Sequence, residues 1–192
     1  MRKIDNIASE MIPIRLMISI SVIAAVTLMI SVGYNNFSIT LSENQIENEY
    51  RILESKLYSM IASGVARDVD ENNAVNGTIR THTFDLPYNL VYLAFGVDCD
   101  PNNDGIMKTG LTNDGIVIFF KVNTGSKHVI WPSKNDFRFR EGDYVNNQWI
   151  INNDEQGFIL QTGGKTALTF ELVQKNLKKY ILVHANDNFN TF

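Results

Sequence analysis

The residues best placed to do chemistry lie in one short run, Asp98-Cys99-Asp100-Pro101-Asn102-Asn103-Asp104-Gly105-Ile106. With Asp100 as the first position, the run reads D-x-N-x-D-G-I. That is the first half of a calcium-binding loop of EF-hand type: oxygens at the first, third and fifth positions, a glycine for the sharp turn, then a backbone carbonyl. Ca²⁺ demands six to eight hard oxygen ligands, so Asp98, Asp100, Asn102, Asp104 and the carbonyl of Ile106 form the candidate set. The twelfth position is Leu111 instead of a bidentate glutamate. Asp98 or Asp114 would have to supply that carboxylate. The competing reading is an Asn/Asp/Gly turn between strands.

Other chemistries have less support. His82, His128 and His184 stand apart from one another, each within a β-prone run, and no pair has metal-ligand spacing. They are expected to be hydrogen-bonded or solvent-facing strand residues. Nucleophile elbow, phosphate loop and dinucleotide fingerprint are all missing. Gly163-Gly164-Lys165-Thr166 echoes the end of a phosphate loop without its upstream glycine. Cys99, the single cysteine, excludes an intrachain disulfide and a Cys-x-x-Cys pair. The chain is therefore not expected to be an enzyme. A net charge of −4 argues against nucleic acid as a partner. Two acceptor sequons for N-glycosylation occur, at Asn36 and Asn76.

Those residues need a scaffold, and its plan is legible along the chain. Leu16 to Val32 is an uncharged stretch of 17 residues. As a helix it spans roughly 26 Å, near the hydrocarbon thickness of a bilayer. Arg2, Lys3 and Arg15 give the leader 1–15 a net positive charge, and the remainder is acidic. This asymmetry suits an N-terminus inside and a C-terminal domain outside. Pro13 is expected in or just before the first helical turn. A cleaved signal ending near Ser31-Val32-Gly33 and a buried core helix are the alternatives to a retained transmembrane helix over 16–33.

Residues 34–67 read as an amphipathic stalk. Ser42 followed by Gln45 has the spacing of a capping box, predicting an N-cap at Ser42. Ile46, Tyr50, Leu53, Leu57 and Met60 then recur at alternating spacings of four and three, a narrow apolar stripe flanked by charges. The stripe either assembles with neighbouring copies or lies along the following domain.

From 76 to 192 the chain reads as short strands with turn punctuation. Strands are predicted at 78–86, 90–97, 115–122, 127–131, 148–151, 157–162, 167–174 and 179–185. Gly163-Gly164 suits a hairpin turn. Phe170 and Leu172 should face inward, with Thr169, Glu171 and Val173 outward. The expected class is α+β: a long N-terminal helix, half transmembrane and half amphipathic, before an antiparallel β-sheet or β-sandwich.

This order of basic leader, apolar helix, amphipathic continuation and β-domain, carried by Met1 to Val65 and the strands beyond, resembles type IV pilins and pilin-like proteins, especially archaeal ones. In that family the apolar half of the helix packs into the membrane or a filament core, and the amphipathic half packs on the β-domain. A looser similarity is to the archaellum stator proteins, which join one N-terminal helix to an extracytoplasmic β-sandwich. The resemblance implies a single-pass, membrane-anchored structural or interaction protein of the cell envelope. Its expected partners are the lipid bilayer, further copies or pilin-like subunits, and surface-layer components. The alternative function is an envelope sensor or binding module whose β-domain takes Ca²⁺ or a small ligand.

Overall fold

A computed structural model of the protein describes residues 4–70, 77–133, 137–145, 148–151 and 156–185. The chain divides into two compact units, Met1–Leu41 and Ser42–Phe192. Helix α1, Ile4–Ser63, supplies all the described structure of the first and the opening of the second.

In the first unit the helix is apolar on every side. Ile18, Ile23, Met29 and Ile30 are 59–74% exposed. Three of the few polar side chains find partners within the helix. Ser19, Ser21 and Thr27 donate to the carbonyls of Arg15, Met17 and Ile23. That local back-bonding gives these three hydroxyls partners inside the helix. Pro13 lies inside α1, not in its first turn.

Ser42 is likewise inside α1 and is not an N-cap. No proline or other strong breaker separates the two halves. Gly33 weakens a helix by about 1 kcal/mol without ending it. Gln45, the partner a capping box would need, donates from Nε2 to the Asp85 carbonyl at 2.6 Å.

In the second unit α1 faces a β-domain with ten strands among the described residues: β1 Arg67–Asp68, β2 Ile79–Leu86, β3 Leu90–Phe95, β4 Ile118–Val122, β5 Lys127–Ile130, β6 Phe139–Val145, β7 Gln148–Ile151, β8 Phe158–Leu160, β9 Gly164–Lys175 and β10 Lys178–Ala185. The class is α+β. One sheet has the order β1-β9-β10-β6-β7, with β2 also on β9. The other has the order β5-β4-β3-β8. The second is antiparallel throughout. The first is mixed, because β1 runs parallel to β9 and β6 parallel to β10. Parallel pairing needs a long crossover, and the chain from β7 through β9 provides one between β6 and β10.

The Gly163-Gly164 pair is not a hairpin. β8 belongs to one sheet and β9 to the other, so the glycines carry the chain between sheets. A side chain on Gly163 would strike the Pro87 carbonyl at 2.3 Å. A tight hairpin lies at Asn176-Leu177, between β9 and β10, where both residues have positive φ. That is the dihedral signature of a type I′ turn, with leucine where glycine is usual.

Helix and sheets share one core. Ile46, Leu53, Leu57 and Met60 are at most 1% exposed and Tyr50 is 6% exposed. They pack with Phe84, Phe95, Phe120, Phe139, Phe170 and other buried residues from both sheets. The stripe is thus enclosed by the chain's own β-domain, and these five side chains are not available for assembly with other copies. A smaller cluster of Tyr92, Ala94, Val97, Cys99, Val117 and Phe119 fills the other face of the second sheet.

β9 is buried on both faces. Thr169 and Glu171 are 7% and 2% exposed, and Val173 is fully buried. Sheet curvature explains it. In a flat sheet β1 and β7 would lie about 19 Å apart. Yet Arg67 of β1 reaches both Glu171 of β9 and, through Nη2, the Trp149 carbonyl of β7 at 2.5 Å. The sheet curls until its two ends meet over Glu171.

Burial of the stripe predicts its energetics. Leu53→Ala should cost about 2–5 kcal/mol of unfolding free energy. Ile52→Ala, on the exposed side of the same turn, should cost under about 0.5 kcal/mol. Equal losses in chemical denaturation would contradict this packing.

Candidate functional site

The Asp98–Ile106 loop folds around its own carboxylates. Asp100 is 4% exposed, and its Oδ1 accepts from the amides of Asp104 at 2.9 Å and Gly105 at 3.3 Å. Asp104 Oδ1 accepts from the Ile106 amide at 2.9 Å. That amide, first among several contacts, holds the Asp104 carboxyl below its usual range. Asn103 and Gly105 take positive φ, as the turn requires.

The flanking charges are also engaged. Lys127 reaches Asp98 Oδ2 at 2.6 Å and the Asp100 carbonyl at 3.3 Å. Asp114 pairs with Arg138 at 2.8 Å and Arg140 at 3.1 Å. These contacts, the Arg138 hydrogen bond foremost, depress its carboxyl pKa. Asn102 and Ile106 are exposed. The loop therefore brings the sequence-derived carboxylates together as backbone-capping turns, with Asp98 paired to a lysine. Among the described residues, no group of three or more His, Cys, Asp or Glu side chains is placed to hold a metal ion. Cys99 beneath the loop is fully buried, and burial pushes its thiol up to about 11, far from a nucleophile's range.

The histidines mark a second constellation. β2 and β5 are outer strands, β2 paired to β9 and β5 to β4. Both present a histidine to α1. His128 Nε2 lies 2.8 Å from Glu43 Oε1 and its ring stacks on Phe120. His82, 4% exposed, lies between two helix residues, with Nε2 3.0 Å from Glu49 and Nδ1 3.0 Å from Lys56. An ammonium only donates, so Nδ1 accepts and the Nε2–H donates to Glu49. Farther along, Glu54 Oε1 accepts from the amide and hydroxyl of Ser133. From Glu43 to Glu54 the helix rises about 16 Å. From His128 to Ser133 an extended chain advances about 17 Å. The matched lengths let about eleven helix residues run alongside five residues of β5 and the segment after it.

A third constellation has no trace in local sequence pattern. Arg67 and Glu171 form a two-pronged ion pair at 2.6 and 2.9 Å, with side chains 2% and 3% exposed. The Gly77 amide also donates to Glu171. Trp149 stacks on His184 at 3.4 Å between ring centres. The Arg67 and Glu171 side chains of this polar nucleus are closed to solvent.

Asn36 is exposed on α1, where its carbonyl accepts from Thr40. Asn76 lies outside the described residues. α1 is also the one described helix long and apolar enough to cross a membrane, and none of its most apolar window is buried. Comparison with known protein families, characterised proteins and solved structures finds no match to this chain.

Two measurements follow from these contacts. Millimolar Ca²⁺ should leave the melting temperature unchanged, since Asp100 and Asp104 already accept backbone amides and Asp98 Oδ2 already faces Lys127. A saturable rise would show that they can be recruited. His82 predicts a pH dependence. Burial first, then Lys56, lowers its folded pKa below the unfolded value near 6.5. Below about pH 6.5 the unfolded chain takes up a proton that the folded chain resists. Stability from this site is thus complete above that pH and falls as pH drops toward the folded pKa, by at most about 1.4 kcal/mol per pH unit. His82→Gln should flatten that part of the profile. An unchanged profile in the variant would refute the assignment.

Proposed function

We propose that the chain is a membrane-anchored structural or interaction protein of the cell envelope, pilin-like in plan, whose β-domain makes contacts outside the cytoplasm. The observation that carries this reading is the contrast between the two parts of α1. Its downstream stripe is buried in a shared core, whereas the side chains from Ile14 to Val32 that are apolar and large stand 49–74% exposed. An apolar surface of that length and all-round character would aggregate in water and is at home in hydrocarbon. The β-domain completes its core without that segment. The basic leader supports an N-terminus on the cytoplasmic side.

The anchor, the orientation and the interaction role are separable by experiment. The full chain should resist alkaline extraction from membranes. Lys178→Cys, at the exposed start of β10, should react with a membrane-impermeant maleimide in intact cells, while buried Cys99 stays silent. Labelling only after lysis would reverse the orientation. Cross-linking of intact cells should join the β-domain to a second copy or to envelope material. A chain that stays monomeric and binds no envelope fraction would overturn the interaction role.

A further inference from the structure

The outer strand β2 is held unevenly along its length. Its second half buries Phe84 and Leu86 in the core. Upstream of it, Thr78 is tied to Val65 and to the Leu172 amide. Between these anchors lie Ile79–Thr83, and His82 is the one buried side chain among those residues. The hold on that ring depends on its protonation. Its two nitrogens lie 3.0 Å from Glu49 and 3.0 Å from Lys56, both on α1. Opposite His82 on β9 stands Leu168, and the Phe84 ring meets it edge-on at 4.4 Å between centres. Arg80 and Asp85, the other charges of β2, are exposed.

A proton on Nδ1 removes the acceptor that Lys56 uses and sets two cations at hydrogen-bonding distance. Swinging Lys56 away relieves the repulsion but leaves a buried N–H without an acceptor. Burial first and Lys56 second disfavour the charged ring, and Glu49 offsets them only in part. The β5 side differs. There His128 meets Glu43 at 2.8 Å with Phe120 stacked on its ring, and its neighbour Lys127 is turned to Asp98. Protonation at His128 adds an ion pair. We propose that β2 carries an acid-sensitive catch: protonation of His82 frees Ile79–Thr83 from α1 and β9 while β5 stays in place. Below about pH 6.5 the open segment takes up a proton that the closed one resists, so its opening constant rises by up to about tenfold per pH unit. Opening strips β9 of its partners from Ala167 to Glu171, and an unpaired edge is a template for another strand. The catch is local and independent of the membrane anchor.

The test is hydrogen exchange of the full chain in phosphatidylcholine nanodiscs, followed by mass spectrometry from about pH 7.5 to about pH 4.5 and corrected for intrinsic rates. Protection of Ile79–Thr83 should fall by about tenfold or more across that range, while that of β5 and of Ile181–Val183 in β10 holds. His82→Gln, which can still donate to Glu49 and accept from Lys56, should remove the fall. Lys56→Met, which leaves the ring to Glu49 alone, should move the fall to lower pH. Steady protection of Ile79–Thr83, a fall shared equally by β5 and β10, or a fall unchanged in either variant would each overturn the proposal.

Discussion

Everything in the β-domain depends on the burial of one apolar stripe. Ile46, Tyr50, Leu53, Leu57 and Met60 enter a core to which both sheets contribute phenylalanines. A β-sheet buries one face readily, but two sheets meeting at an angle leave an open side. Here α1 fills that side. Its stripe packs inward, and its flanking polar residues reach the outer strands on either hand. Gln45, Glu49 and Lys56 contact β2, and Glu43 and Glu54 contact β5 and the segment after it. Unpaired strand edges invite association with other chains, and a covering helix is one way to blunt them. The same contacts therefore hold the core and protect its margins.

A second constraint closes the larger sheet on itself. The Arg67–Glu171 pair lies in the concavity where β1 and β7 converge. Desolvating two charges is costly, and the forked geometry, the Gly77 amide and the Trp149 carbonyl together offset that cost. Removing one partner would leave a buried charge without compensation. The pair also fixes where the chain leaves the helix, because β1 follows α1 after a short link anchored by Thr78. Its Oγ1 accepts from the Val65 amide, and its own amide donates to the Val65 carbonyl.

Much of the fold was legible in the sequence. Apolar runs and turn residues located eight of the strands, and alternating spacing located the stripe. The strands that went unseen were those whose patterns carry little signal. β1 is two residues long within a charged run. β6, FREGDYV, mixes charges and a glycine, and its Arg140 is held by Asp114, which is distant in sequence. Glu171 was read as outward because it alternates with Phe170 and Leu172. That alternation is real, but the second face is covered by curvature. The Asp98–Ile106 loop was read as a cluster of oxygens. Its internal hydrogen bonds and Lys127 could not be seen, since Lys127 arrives from 29 residues away.

Local composition thus determined what each segment could bury: a helix apolar all round, then a helix apolar along one stripe, then strands. Periodicity and hydropathy are properties of neighbours in sequence, and neighbours suffice to express them. Tertiary structure alone decided which edges the helix would cover, which carboxylates would meet cations and which face of β9 would be sheltered. Those outcomes depend on pairs such as Arg67 with Glu171, separated by 104 residues. Such distant residues meet only once strand order and sheet curl are set, and no local pattern encodes either.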